Sequence, residues 1–460
     1  MSTGRKNTIQ TLARSNGISY QELLDKEPSP VPAALRESTD TDLGSAPLKV
    51  DRYLSSEYYQ LEKEKLWPHV WQAVCRETEI PSHGDFYTHD IASYSVFVLR
   101  NKQGGINGFM NACLHRGRQL KTGSGNACDI KCPFHGFTWN LQGEFQGAPC
   151  AWDFPHIQIE ENSLPKLKVD TWGGWVFINM DKNAVSLHNY LGVMSEHFKR
   201  WQPEQTYKAL HIKKALRCNW KLAHEAFIES YHTVATHPQL LLYTADANSQ
   251  YDCFNDHVSR SITPMGVNSP HLPNATEQQA SDQWMVVTDT LNENQLQQIP
   301  AGMTAREYLA HFNIKRYSEL YDQDLAEFCT HSEILDAILY SVFPNFAPWG
   351  GYRPNLTYRF LPYNDSHEEC TMEIMFMLRY PTDEPRPEDC KVQFVDHDQS
   401  FAETNGLADG FARVFDQDFS NLPMVHKGLK SLKSGQIQLG NYQEVRIRHF
   451  HQTLDKYMHS

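Results

Sequence analysis

No apolar run in this chain of 460 residues approaches the roughly 18 residues that a membrane-spanning helix needs, so a bundle of transmembrane helices is not expected. The opening stretch MSTGRKNTIQTLARSNG has basic side chains but no apolar segment behind them, and so does not read as a secretory signal; a cytoplasmic location is the expectation. Positive charge is scarce. With 42 Lys and Arg against 55 Asp and Glu, the formal net charge of -13 disfavours nucleic acid and acidic membranes as partners, leaving room for a local basic patch where a redox protein docks. A disulfide framework is missing too: ten cysteines at irregular spacing in a chain of this size argue for metal ligation or reduced thiols. Internal repeats and low-complexity tracts are absent.

What is present suits a large globular chain, with 40% hydrophobic and 12% aromatic residues and length enough for two or three domains. Residues 1–46 are polar and carry SPVPAALRESTDTDLGSAP, which reads as an arm or linker preceded by a short helix. In YLSSEYYQLEKEKLWPHVWQAV, the helical spacing of Tyr58, Leu61 and Leu66 leads into a first strand. From Asp85 to Asp181, short runs such as YSVFVLR and WVFINM are broken by glycine, the pattern of a small all-β module. Residues 185–240 look helical, and the remainder mixes strand-like runs with two C-terminal helices near 398–429 and 440–458. The expected organisation is α+β: an arm over 1–46, a β domain over 47–180 and a larger mixed domain over 181–460.

Two segments carry chemistry. In CLHRGRQLKTGSGNACDIKCPFH, Cys113 and His115 are followed after sixteen residues by Cys132 and His135. Two thiolates and two imidazoles suit a tetrahedral zinc, or a [2Fe-2S] cluster in which one iron takes the cysteines and the other the histidines. Spacing alone does not choose, but both pairs sit in glycine-punctuated loops among strands, with no helix carrying the histidines. CLHRG together with CPFHGFTWNLQGEF resembles the Rieske iron-sulfur motif, in the form found in Rieske non-heme iron oxygenases. Arg118 and Phe134 hold the loop positions where the respiratory form adds disulfide cysteines, and Phe134 and Phe137 replace the tyrosine and tryptophan commoner in oxygenases.

The second segment is NWKLAHEAFIESYHTVATHP, residues 219–238. Glu229 and His232, three apart, share a helix face, whereas His237 lies five residues past His232, about 140° round a regular helix. Pro238 disfavours the α conformation at His237, so a helix loosening there swings that imidazole back toward His232. The segment resembles the mononuclear-iron stretch of the Rieske oxygenase large (alpha) subunit, with its N-W-K opening, acidic residue, Y-H and later H in order. The resemblance implies Fe(II) held by His232, His237 and a distant carboxylate, with Asn219 and Trp220 orienting and packing the iron helix. In FDQDFSNLPMVHKGLKSL that carboxylate is Asp418, with Asp416 as its competitor two residues away; His426 stands where glutamine is common. Glu229 would then be the electron bridge to His135 of the partner subunit. His224, His449 and His451 read as structural.

The resemblance spans nearly all of residues 46–458 and implies a Rieske all-β domain followed by a helix-grip catalytic domain. It further implies a terminal oxygenase using NAD(P)H-derived electrons and O2 on an aromatic or other cyclic organic substrate. No nicotinamide or flavin fingerprint appears, so a separate reductase, alone or with a ferredoxin, is an expected partner. Ring cis-dihydroxylation is favoured over mono-oxygenation such as hydroxylation or O- or N-demethylation; a non-catalytic Rieske-type electron carrier is the rival from another class. A homotrimer or higher oligomer is expected, with a beta subunit left open. The stretch QLLLYTADANSQYDCF is the candidate pocket lining.

Overall fold

The computed structural model describes residues 13–459, which divide into two compact units: Gln60–Tyr190, and a larger one joining the described residues up to Tyr59 to Leu191–His459. Among the described residues, no helix is long and apolar enough to cross a membrane.

The smaller unit is nearly all β. Its four-stranded sheet runs Ile106–Met110, Tyr94–Arg100, Asp85–Ile91, Ser124–Asn126, every pair antiparallel. A three-stranded sheet pairs Trp175–Asn179 between Lys168–Trp172 and Gln72–Arg76. Both Gln72–Arg76 and Trp175–Asn179 are buried along their whole length, which explains why WVFIN is a continuous apolar run without alternation. A third sheet of short strands, Ile130–Lys131, Thr138–Trp139 and Phe145–Gly147, follows the first Cys/His loop. Phe97, Phe109, Phe137, Trp139, Cys113 and Cys132 belong to one packed core. Gly143 is required where it turns past that core: its φ is +81°, and a Cβ there would come within 2.4 Å of the Phe109 ring.

The larger unit is built on an eight-stranded sheet in the order Gln250–Asn255, Val258–Thr263, Ala337–Val342, Phe346–Pro348, Asn355–Pro362, Cys370–Arg379, Thr206–Leu216, Gln393–Val395. Only the last pair is parallel. The helices that matter below are α1 (Trp220–Ala226), α2 (Thr233–Thr236), α3 (Glu277–Val287), α4 (Ala305–Tyr321), α5 (Asp409–Leu429) and α6 (Val445–Met458).

Two readings of the sequence change here. The helical character expected over 185–240 is interrupted by the strand Thr206–Leu216. Its Leu, Ala and Lys residues favour helix locally, but the strand forms a ladder with Cys370–Arg379 from Thr206↔Arg379 to Leu216↔Cys370. Lys214 is buried, its ammonium donating to the carbonyls of Asp396 and Gln399 at 2.6 Å each. Of the polar N-terminal segment read as an arm or linker, residues 1–12 lie outside the described residues, and the described part is strapped to this unit. Its short helix Tyr20–Leu24 has a Ser19/Glu22 capping box, the Glu27 carboxylate accepts the His331 and Ser332 N–H groups, and Arg260 donates to the Ala34 and Glu37 carbonyls.

Candidate active site

The two Cys/His loops close in the same way. Cys113 N–H donates to the Arg118 carbonyl (2.8 Å) and Gly117 N–H to the Cys113 carbonyl (2.9 Å); Cys132 N–H donates to the Phe137 carbonyl (2.8 Å) and Gly136 N–H to the Cys132 carbonyl (3.0 Å). Gly117 and Gly136 take φ of +73° and +76°, which is why glycine stands four residues after each cysteine. The repeated turn puts Cys113 beside Cys132 and His115 beside His135, whose ring centroids are 4.7 Å apart; Phe137 stacks on the His115 ring at 4.6 Å.

This donor set fits a two-iron cluster. The Nδ1 atoms of His115 and His135 are buried and have no hydrogen-bond partner. Burial pushes the Cys113 thiol up; at Cys132 the same effect is outweighed by the Phe134 and His135 backbone N–H groups, which lower it. Among the described residues, the one set of three or more His, Cys, Asp or Glu donors gathered within 4.8 Å lies elsewhere. The cysteines and histidines thus form two pairs, as two irons need, and are not drawn around a single tetrahedral ion.

That gathered set is His232, His237 and Asp418. It is assembled from short pieces. α1 starts at Asn219, whose side chain caps the Lys221 N–H and donates to the carbonyls of Tyr53 and His367, while its own N–H donates to His426 Nδ1. Asn219 is thus a capping and anchoring residue and does not line the cavity described below. The far end of α1 is pinned to α6 through Glu225, whose carboxylate meets His451 Nε2 at 2.7 Å and the Tyr53 hydroxyl at 3.0 Å. His449 bonds the Asn255 carbonyl, and His224 lies against Phe360 and Phe450.

A regular helix carrying Glu229 and His232 is not what forms. α1 ends at Ala226, and Ser230 turns out of helical pairing, its N–H donating to the Tyr251 hydroxyl at 3.1 Å. His232 and His237 flank the single turn α2, and His237 leaves the helical region (φ -124°, ψ 58°) ahead of Pro238, as the proline requires.

Asp418 comes from the buried stripe of α5, with Phe415, Phe419 and Leu422 as its neighbours on that face. Its Oδ1 lies 2.8 Å from His237 Nε2 and 3.5 Å from His232 Nε2. Asp416 is occupied elsewhere, accepting from Ser400 Oγ (2.5 Å) and the Phe401 N–H (3.0 Å). The remaining ring nitrogens are held from behind: His232 Nδ1 meets Glu229 Oε1 at 2.6 Å, and His237 Nδ1 meets Gln417 Oε1 at 2.9 Å. Each imidazole therefore presents Nε2 toward Asp418. Burial disfavours a charged His232, yet Glu229 and Asp418 outweigh it and lift its pKa to about 9. Two carboxylates at one buried spot draw positive charge, and a divalent metal ion meets that demand. Two imidazoles and one carboxylate fit Fe(II) with positions left open.

The open side faces a cavity of about 200 Å³ walled by Phe227, Trp284, Trp349, Tyr358 and Phe411, with Leu240, Tyr243 and Thr244 from the expected lining stretch. Sequence reasoning missed Gln417 and most of these walls. Gln417 adjoins Asp418 in the chain and was open to suspicion; the aromatic walls other than Tyr243 come from separate strands and helices and left no local signal.

The family model described as "Ring hydroxylating alpha subunit (catalytic domain)" matches residues 195–460, and "Rieske [2Fe-2S] domain" matches residues 70–159. A carnitine monooxygenase oxygenase subunit of Acinetobacter pittii (strain PHEA-2) is 32% identical over 191 residues, 40% of this chain and 51% of that protein. A chlorobenzene dioxygenase subunit alpha of Cupriavidus sp. (strain PS12) is 33% identical over 191 residues, 40% of this chain and 42% of that protein. The chain thus spans about half the length of the curated relatives it matches. A solved quaternary ammonium Rieske monooxygenase in complex with L-carnitine shares the fold, with a TM-score of 0.62 and 19% identity over 92% of this chain and 99% of that one. Naphthalene 1,2-dioxygenase with indole bound has a TM-score of 0.62 and 16% identity over 91% of this chain and 93% of that one.

Proposed function

Because the chain belongs to the ring-hydroxylating alpha subunits, we propose that it is the terminal oxygenase of a system that spends NAD(P)H-derived electrons and O2 on an organic substrate. The observation that carries this reading is a 2-His-1-carboxylate set, His232, His237 and Asp418, opening onto an aromatic-walled cavity in a chain that also bears the Cys113, His115, Cys132, His135 site. The cluster held by the latter supplies one-electron transfer, and Fe(II) held by the former supplies O2 activation.

The chain's own residues do the rest. Glu229 and Gln417 hold the Nδ1 sides of His232 and His237, so both Nε2 atoms stay available to the metal. Phe227, Tyr358 and Phe411 exclude water and offer flat apolar faces to a ring. Those faces favour a cyclic substrate and cis-dihydroxylation. Mono-oxygenation is the second reading, supported by the carnitine monooxygenase relative. Electrons arrive from a separate reductase, directly or through a ferredoxin, and Glu229 bridges to His135 of the partner subunit in a homotrimer.

Protein from iron-replete cells should carry about three irons per chain, two in the cluster and one mononuclear, with a Rieske paramagnetic resonance signal on reduction. With reductase, NADH and ¹⁸O₂, a ring substrate should acquire two labelled hydroxyls. One label would select mono-oxygenation. Zinc in both sites and no O2 uptake would overturn the reading.

A further inference from the structure

Arg353 is the feature that the oxygenase reading leaves unused. It lines the cavity at His232, His237 and Asp418 and also an adjoining cavity of about 380 Å³, the two sharing Trp284, Thr288, Leu356 and Phe411. Arginine carries five N–H donors. The hydrogen bond that Arg353 makes is from Nη1 to the Leu335 carbonyl (2.9 Å), and its guanidinium lies 5.0 Å from the centre of the Trp349 ring. Among the described residues, no carboxylate is within ion-pair distance of it. Asp336 is committed to Arg306, at 2.6 and 3.0 Å. Burial lowers the pKa of Arg353 below its ordinary value, and the nearby Tyr317, Tyr358 and Asp336 offset that only in part.

The surroundings share this bias. Trp284 Nε1 and Trp349 Nε1 are buried without an acceptor. The adjoining cavity has no Asp or Glu in its walls and adds Arg316. In the cavity at the histidines, the acidic residues are Glu229 and Asp418, both engaged by those histidines. The cavity at the histidines therefore has an acidic, metal-binding end and, at Arg353, a cationic end with apolar walls between.

We propose that Arg353 anchors a carboxylate or sulfonate on the substrate, by the paired N–H···O bonds that a guanidinium makes with such groups. This rests on the oxygenase reading for which end is oxidised: the anionic group sits at Arg353 and the apolar remainder extends toward His232, His237 and Asp418. Arg353 is then a specificity-determining residue, selecting ring acids over their neutral analogues.

The test is calorimetric binding to the purified full chain of benzoate, 2-naphthoate and benzenesulfonate, each beside its neutral amide, with no reductase present. At least one acid should bind roughly 10- to 100-fold more tightly than its amide, the range expected for a hydrogen-bonded charge. Arg353→Gln should erase that preference, and Arg353→Lys should keep part of it. Equal binding of acid and amide throughout, amides binding while no acid does, or an acid preference that survives Arg353→Gln would each overturn the proposal. The wild-type comparison decides even if a variant fails to fold. Turnover of a neutral ring compound with no acid preference would sink the anchor while leaving the oxygenase standing.

Discussion

Asp416 and Asp418 differ by two positions and do different jobs. Asp418→Ala should lower iron by about one atom per chain while the cluster's visible spectrum persists, because it removes the carboxylate facing His237 and His232. Asp416→Ala should leave iron content unchanged and cost about 1 kcal/mol in thermal stability, since that carboxylate caps the turn at Ser400 and Phe401. Metal analysis beside thermal melts separates the two. Buried histidines give a pH signature. Burial first, then the nearby charges of Arg446 and His451, lowers the pKa of His224 to about 3; His257 and His331 are lowered to about 4, burial again leading. The unfolded chain thus takes up protons that the folded chain refuses between about pH 6.5 and 4, so stability is full above that window and falls as pH drops through it. Each histidine contributes a slope of up to about 1.4 kcal/mol per pH unit, and His224→Gln should flatten the melting temperature against pH by one such contribution.

At the scale of elements, close approach of α5 to α3 shapes one side of the cavity. A Cβ on Gly410, in the first turn of α5, would fall 1.7 Å from the Val287 carbonyl oxygen at the end of α3, and both residues line the cavity. Gly410→Ala should therefore push the helices apart, costing about 1–3 kcal/mol in a denaturant or thermal melt and weakening ring-compound binding. This scale also separates what the sequence discloses from what it hides. The Cys/His loops were readable because glycine at a positive φ repeats at a fixed offset from each cysteine. Asp418 was readable through its place ahead of the VHKGL stretch, as the resemblance implied, and in the structure it falls on the buried stripe of α5. Helices α3 and α4 went unremarked although Thr276/Gln279 and Thr304/Glu307 spell capping boxes. Thr206–Leu216 was misread because its pairing partners lie more than a hundred residues away, beyond any local window. The break after α1 was hidden for a similar reason: the Tyr251 hydroxyl that satisfies Ser230 belongs to a later strand.

For the whole molecule, the sharpest question is whether electrons cross between chains. Glu229 Oε1 already meets His232 Nδ1 at 2.6 Å within one chain, which supplies one end of the proposed bridge. Glu229→Gln chains should keep their iron and a reducible cluster but form product slowly, and His135→Ala chains should lack a working cluster. If the bridge runs in trans, co-assembled mixtures of the two should regain activity in single-turnover product assays, because an intact Glu229 can neighbour an intact cluster on another chain. Activity no greater than the weighted sum of the parents would place transfer within one chain. The packing of Cys113 and Cys132 among Phe97, Phe109, Phe137 and Trp139 carries its own consequence. With these sulfurs as the proposed cluster ligands, each would be at once core side chain and metal ligand, tying maturation of the β unit to cofactor delivery. Iron starvation would accordingly thin the population by proteolysis of immature chains before it dulled the specific activity of the survivors.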